Sequence, residues 1–65
     1  MSKTFEIIER VGVSNESICE AVKLAVKEAG AEKPVAWFEV VEQRGRVTQD
    51  GQIEFQVTVK IGRKL

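Results

Sequence analysis

The sequence predicts an α+β domain with the element order β-α-β-β. Three observations carry this reading: apolar residues spaced three and four apart between Ile18 and Ala29, two long runs of period-two alternation after Pro34, and a shorter apolar run ahead of the helix. The 65 residues are read as one domain, 1–65. A chain of this size buries only about 60% of the surface its unfolded form exposes, so it needs a metal, disulfides or a partner as support. Cys19 is the only cysteine, so a disulfide within the chain is excluded, and zinc finds neither a histidine nor a second thiol. Self-association remains, and the sequence predicts an oligomer.

The elements follow in order. Lys3 to Val11 reads as a strand through Phe5, Ile7, Ile8 and Val11, but Ile7 and Ile8 are adjacent and cannot both face inward. Gly12-Val13-Ser14 then turns into the helix, with Ser14 as the expected N-cap and Glu16 in the first turn, where the helix dipole favours an acid. Ile18, Ala21, Val22, Ala25 and Ala29 form the apolar stripe, and its alanines let the helix lie close against a sheet. Gly30 suits the C′ position and Pro34 opposes continuation. Ala36 to Val47 and Ile53 to Ile61 read as strands, joined through Thr48–Gln52 with Asp50-Gly51 as the turn. A strand of about twelve residues spans roughly 40 Å, whereas a helix of about seventeen spans about 25 Å. The hairpin must therefore overhang the helix.

One helix covers one face of a sheet, so alternation decides what stays outside. Phe38 and Val40 alternate with Trp37, and Ile53, Phe55, Val57, Val59 and Ile61 alternate with Gln56. If the phenylalanines go inward, Trp37 and Gln56 go outward, together with Glu39, Val41, Gln43 and Thr58. A flat indole beside an amide that both donates and accepts suits a planar heteroaromatic ligand. The same alternation sends Arg44 and Arg46 to the Phe38 side, from which only the hairpin overhang, strand twist or a bulge near Gly45 would bring them to such a ligand. Glu39 and Glu42 fall on opposite faces, with no histidine or nucleophile to make a catalytic pair of them. Cys19 reads as a small filler on the helix flank, with Lys23 as the one cation at helical spacing.

Charge excludes some classes. Ten basic and ten acidic residues cancel, and Glu39, Glu42, Asp50 and Glu54 interleave with the basic residues of the C-terminal third, which argues against a nucleic-acid binder. No apolar run reaches membrane-spanning length, and no signal peptide opens the chain. The expected setting is the cytoplasm.

The stretch Trp37-Phe38-Glu39-Val40, the pair Arg44-Gly45 and the run Phe55-Gln56-Val57-Thr58-Val59-Lys60-Ile61-Gly62 resemble the dodecins, very small flavin-binding proteins. Glu9-Arg10-Val11-Gly12-Val13-Ser14 is similar to the strand-to-helix junction of that family, so the likeness covers nearly the whole chain. It implies a three-stranded antiparallel sheet partly wrapped around one helix, and a hollow homododecamer. Flavin (FMN, riboflavin or FAD) would stack in pairs between tryptophans at subunit interfaces. The implied role is flavin storage, buffering and quenching, without established turnover; the residues themselves offer no catalytic set and no metal site. Some bacterial members also hold coenzyme A, which the resemblance admits as a second ligand.

Carried over by position, the resemblance makes Trp37 the stacking residue and Gln56 the partner of the isoalloxazine edge. Arg44 falls near the flavin and its phosphate, and Arg46 joins it as a cofactor-binding candidate. The family ending Gly-Phe-Arg-Leu is here Gly62-Arg63-Lys64-Leu65. Lys64 keeps a point charge for a phosphate but loses the bidentate fork of arginine. The segment Ala31-Glu32-Lys33-Pro34 is also shorter than usual and carries an unusual proline. The alternative reading, motivated by the altered C-terminus, is a structural oligomeric module without flavin, with coenzyme A as its candidate ligand. A flavin enzyme is the weaker third, because no acid/base partner accompanies the tryptophan.

Overall fold

A computed structural model describes residues 3–65. Four elements follow one another: β1 (Phe5–Ser14), α1 (Ile18–Gly30), β2 (Val35–Val47) and β3 (Ile53–Lys64). All three strands form one antiparallel sheet with β3 at its centre, in the order β1-β3-β2. The predicted order and class are both present.

The core lies between one face of β3 and the alanine stripe of α1. Val57, Val59 and Ile61 alternate along β3 and are fully buried, and Ala21, Ala25 and Ala29 close over them. Burying a valine or isoleucine side chain completely is worth about 1.5–3 kcal/mol, so these three residues and their alanine lid anchor the helix. Gly12 makes the close approach possible, because a Cβ there would overlap the carbonyl of Ala21. Ile8 pairs with Ile61 on this face and packs against the core, while Ile7 pairs with Gly62 on the other face. The register thus resolves the Ile7–Ile8 ambiguity.

The helix start differs from the expectation. β1 continues to Ser14, and the N-cap is Ser17, whose Oγ accepts from the Glu20 backbone N–H at 3.0 Å. Ser17 and Glu20 have the three-residue spacing of a capping box, whereas Ser14 accepts from the Glu16 N–H and only closes the preceding turn. Glu20, not Glu16, is the acid of the first turn. Gly30 ends the helix as its last residue, and Ala31 caps it in the right-handed region. The helix therefore has 13 residues, about 20 Å of rise, and the hairpin overhang is larger than expected. The chain measures 53 Å along its longest axis against 19 and 14 Å across. In the turn, Gly51 takes the positive φ of 84° that Asp50-Gly51 promised.

Two irregularities in β2 decide what the open face carries. The register against β3 shifts between Val35 and Trp37 and again between Val40 and Glu42. The second shift makes Val41 a surplus residue, and alternation reverses phase beyond it. Val40 pairs with Val59 on the helix side, but Glu42 pairs with Thr58 on the open side, and Gln43 with Val57 back on the helix side. Arg44 pairs with Gln56 and Arg46 with Glu54. Strict alternation would have put both arginines with Phe38. The bulge lies at Val41 rather than near Gly45, and it moves Arg44, Arg46 and Glu42 to the Trp37 face while returning Gln43 to the helix side. Glu39 and Glu42 consequently share the open face.

Phe38 pairs with Ile61 on the helix side as expected, yet it stays 50% exposed. The helix lies over β1 and β3 more than over β2. Every residue of β2 from Ala36 to Val47 is exposed, so this edge strand lacks cover on either face. Among the described residues, no helix is long and apolar enough to cross a membrane.

Candidate functional site

The open face presents two separate clusters. At one end Trp37 stands opposite Gly62. A Cβ on Gly62 would overlap Cε2, Cζ2 and Nε1 of the indole, so the ring rests across bare backbone. The ring is not covered by its own helix and remains 42% exposed. Lys64 is two residues beyond Gly62 on β3, on the same face by alternation, and is exposed. Ile7 completes this end as the β1 partner of Gly62. Phe5, Ile7, Val11 and Val13 all lie on this face and all are exposed.

At the other end lie Arg44, Arg46, Glu54 and Gln56. Glu54 and Gln56 are two apart on β3 and so share a face, and Arg46 and Arg44 are their register partners on β2. Arg44 Nε donates to Gln56 Oε1 at 3.1 Å, and Gln56 Nε2 donates to Glu54 Oε1 at 3.1 Å. Arg46 Nε closes the set on Glu54 Oε1 at 2.8 Å. Hydrogen bonds from Arg46 and then Gln56 hold the Glu54 carboxyl below its usual range, and the same pairing raises Arg46. Arg46 thus pairs with Glu54, and Glu54 joins the candidate site although its sequence context marked it only as an interleaved acid. Its spacing of two from Gln56 was the available signal.

Gln56 and Gly62 are six positions apart on β3, about 20 Å at the rise of an extended strand. Trp37 and Gln56 share a face but are not side by side in one chain. A single planar ligand that touches both must bridge two protomers.

Arg63 has a different place from the other basic residues. It lies on the helix side, 7% exposed, and donates from Nη1 to the Ala29 carbonyl at 3.1 Å, at the C-terminal end of α1. Its Nη2 pairs with Glu6 at 2.6 Å, and Glu32 and Lys33 complete the cluster. A guanidinium here satisfies an orphan carbonyl and the negative end of the helix dipole. Of the two residues that depart from the family ending, Arg63 is therefore a structural cap and Lys64 faces the open side. Cys19 is exposed on the helix rather than filling its flank.

The family model described as Dodecin matches residues 4–65. The dodecin of Thermus thermophilus is 35% identical over 66 residues, covering 100% of this chain and 96% of that protein. Among solved structures, the dodecin from Streptomyces davaonensis superposes with a TM-score of 0.90 at 32% identity, covering 100% of this chain and 97% of that one. The dodecin from Streptomyces coelicolor gives 0.86 at 33% identity over 97% and 91% of the two chains. With a matched family model, a full-length relative and the same β-α-β-β sheet, this chain belongs to the dodecin family.

Proposed function

We propose that this chain binds flavin at the junctions of a hollow homododecamer, where it stores and buffers the ligand and quenches its excited state. The observation that carries the reading is the Trp37 indole, laid on Gly62 with its outer side open. The residues fit a flavin. The indole is a flat stacking surface, the Gln56 amide matches the edge of an imide, and Arg44 adds a cation. A bound flavin supplies a planar, light-absorbing, redox-active ring. An electron-rich indole in contact with that ring gives its excited state a fast route back to the ground state.

Assembly is supported by the surface left bare. β2 is exposed along its length, Phe38, Val40, Val41 and Val47 included, and a long apolar edge strand requires cover. The roughly 20 Å between Trp37 and Gln56 in one chain assigns them to one ligand only if neighbouring protomers each contribute one of them. Lys64, on the Trp37 end, offers a point charge to a phosphate-bearing ligand, FMN or coenzyme A. Arg46, held by Glu54, serves the site through that contact. The reading is of a carrier in the cytoplasm rather than an enzyme.

Titration of riboflavin and FMN with the purified protein, followed by flavin fluorescence, tests the proposal. Strong quenching at micromolar protein is expected, with light scattering giving twelve times the chain mass. Replacing Trp37 by alanine should abolish most of the quenching. Undiminished flavin emission with the intact protein would refute the reading.

A further inference from the structure

We infer that Glu54 is a positioning residue that fixes the Gln56 amide in one of its two flip states, leaving one N–H and one carbonyl lone pair as a matched couple for an imide edge. The inference rests on the flavin reading above. A glutamine amide is nearly symmetric in shape, so rotation by half a turn exchanges donor and acceptor at little steric cost. Its neighbours here remove that freedom. Arg44 Nε carries only a donor, so the amide oxygen faces it, and the Glu54 carboxylate only accepts, so the NH2 faces it. The flipped amide would set NH2 against a guanidinium and oxygen against a carboxylate, exchanging two charge-assisted bonds for two repulsions.

The remaining capacity follows by counting. An amide oxygen accepts twice and an NH2 donates twice, and one of each is used within the chain. One acceptor site and one N–H are left over, the two groups that an N–H next to a carbonyl requires. Arg46 holds the carboxylate in turn at 2.8 Å. That contact keeps Glu54 ionised, consistent with its lowered pKa. Glu54 acts through Gln56, so its removal should change which ligand is preferred more than how well the ring stacks.

The test compares lumiflavin with 3-methyllumiflavin, which lacks the imide N–H and has no phosphate for the arginines to read. Binding is followed by quenching with the intact protein, Glu54→Ala and Glu54→Gln. The intact protein should prefer lumiflavin by about tenfold, the size of one lost hydrogen bond to a pre-set partner. Both variants should reduce that preference to about threefold or less while retaining tryptophan-dependent quenching. Glu54→Gln keeps the side-chain shape but both donates and accepts, so it separates polarity from packing and guards against misfolding of the alanine variant. A preference unchanged in the variants, or absent in the intact protein, overturns the role of Glu54 and leaves flavin binding standing. Failure of the intact protein to quench either flavin overturns both.

Discussion

The Trp37 indole lies across the α-carbon of Gly62, its register partner on the central strand, so that hydrogen is the only substituent Gly62 can carry without moving the ring. The consequence is a stacking surface set flat against the sheet by backbone instead of by a rotamer trapped in a core. The indole is free on its outer side and can tilt away, which makes the position testable. Gly62→Ala should lower stability by only about 1 kcal/mol, at the mild end of overpacking. It should weaken flavin binding about tenfold, because the ring no longer lies flat. Thermal unfolding and a flavin titration on the same preparation check the two halves.

Gly12 presents the opposite case. An added Cβ would meet the Ala21 carbonyl and come within 3.3 Å of the Ala25 Cβ, and helix backbone cannot swing aside. Gly12→Ala should push α1 off the sheet and cost about 3 kcal/mol or more. A large fall in the urea midpoint, or loss of soluble protein, is the expected result. A midpoint equal to that of the intact protein would contradict the packing described for α1.

The buried guanidinium of Arg63 supports the end of the helix and one carboxylate at once. Arg63→Leu removes the bond to Ala29 and leaves Glu6 with Lys33 alone, and should destabilise by about 2 kcal/mol. The double variant Arg63→Leu with Glu6→Leu should recover part of that loss, because apolar replacement of both partners strands no charge. A double-mutant cycle on melting temperatures measures the coupling.

Acid should loosen the same region. Burial opposes ionisation of Glu6, but hydrogen bonds and charge from Lys33 and Arg63 outweigh it and keep the carboxyl below its ordinary value of 4.5. A carboxylate whose pKa is depressed on folding contributes stability that is complete above the unfolded value and lost as pH falls through the folded one. Glu6 should therefore contribute fully above about pH 5.5 and progressively less below pH 4.5. Glu6→Gln should flatten that part of the melting-temperature profile. Glu54 and Asp50, lowered by their contacts to Arg46 and Thr48, add to the overall acid slope.

The residues alone determined the order of elements, the buried alternation of Val57, Val59 and Ile61, the alanine stripe and the Asp50-Gly51 turn. These depend on short-range periodicity and on the φ preference of glycine, which a chain carries wherever it folds. The outward face of Trp37 was legible for the same reason. The true cap was also present, as the three-residue spacing of Ser17 and Glu20, although Ser14 competed for it.

Only pairing with β3 decided the rest. Val41 becomes surplus because the partner strand offers it no residue, and that places Arg44 and Arg46 opposite Gln56 and Glu54. Arg63 becomes a helix cap because β3 runs past the end of α1, bringing a side chain 34 residues distant to the Ala29 carbonyl. The distance between Trp37 and Gln56 likewise follows from where each strand sits along its neighbour. Register is a property of two strands together, and no single run of side chains contains it.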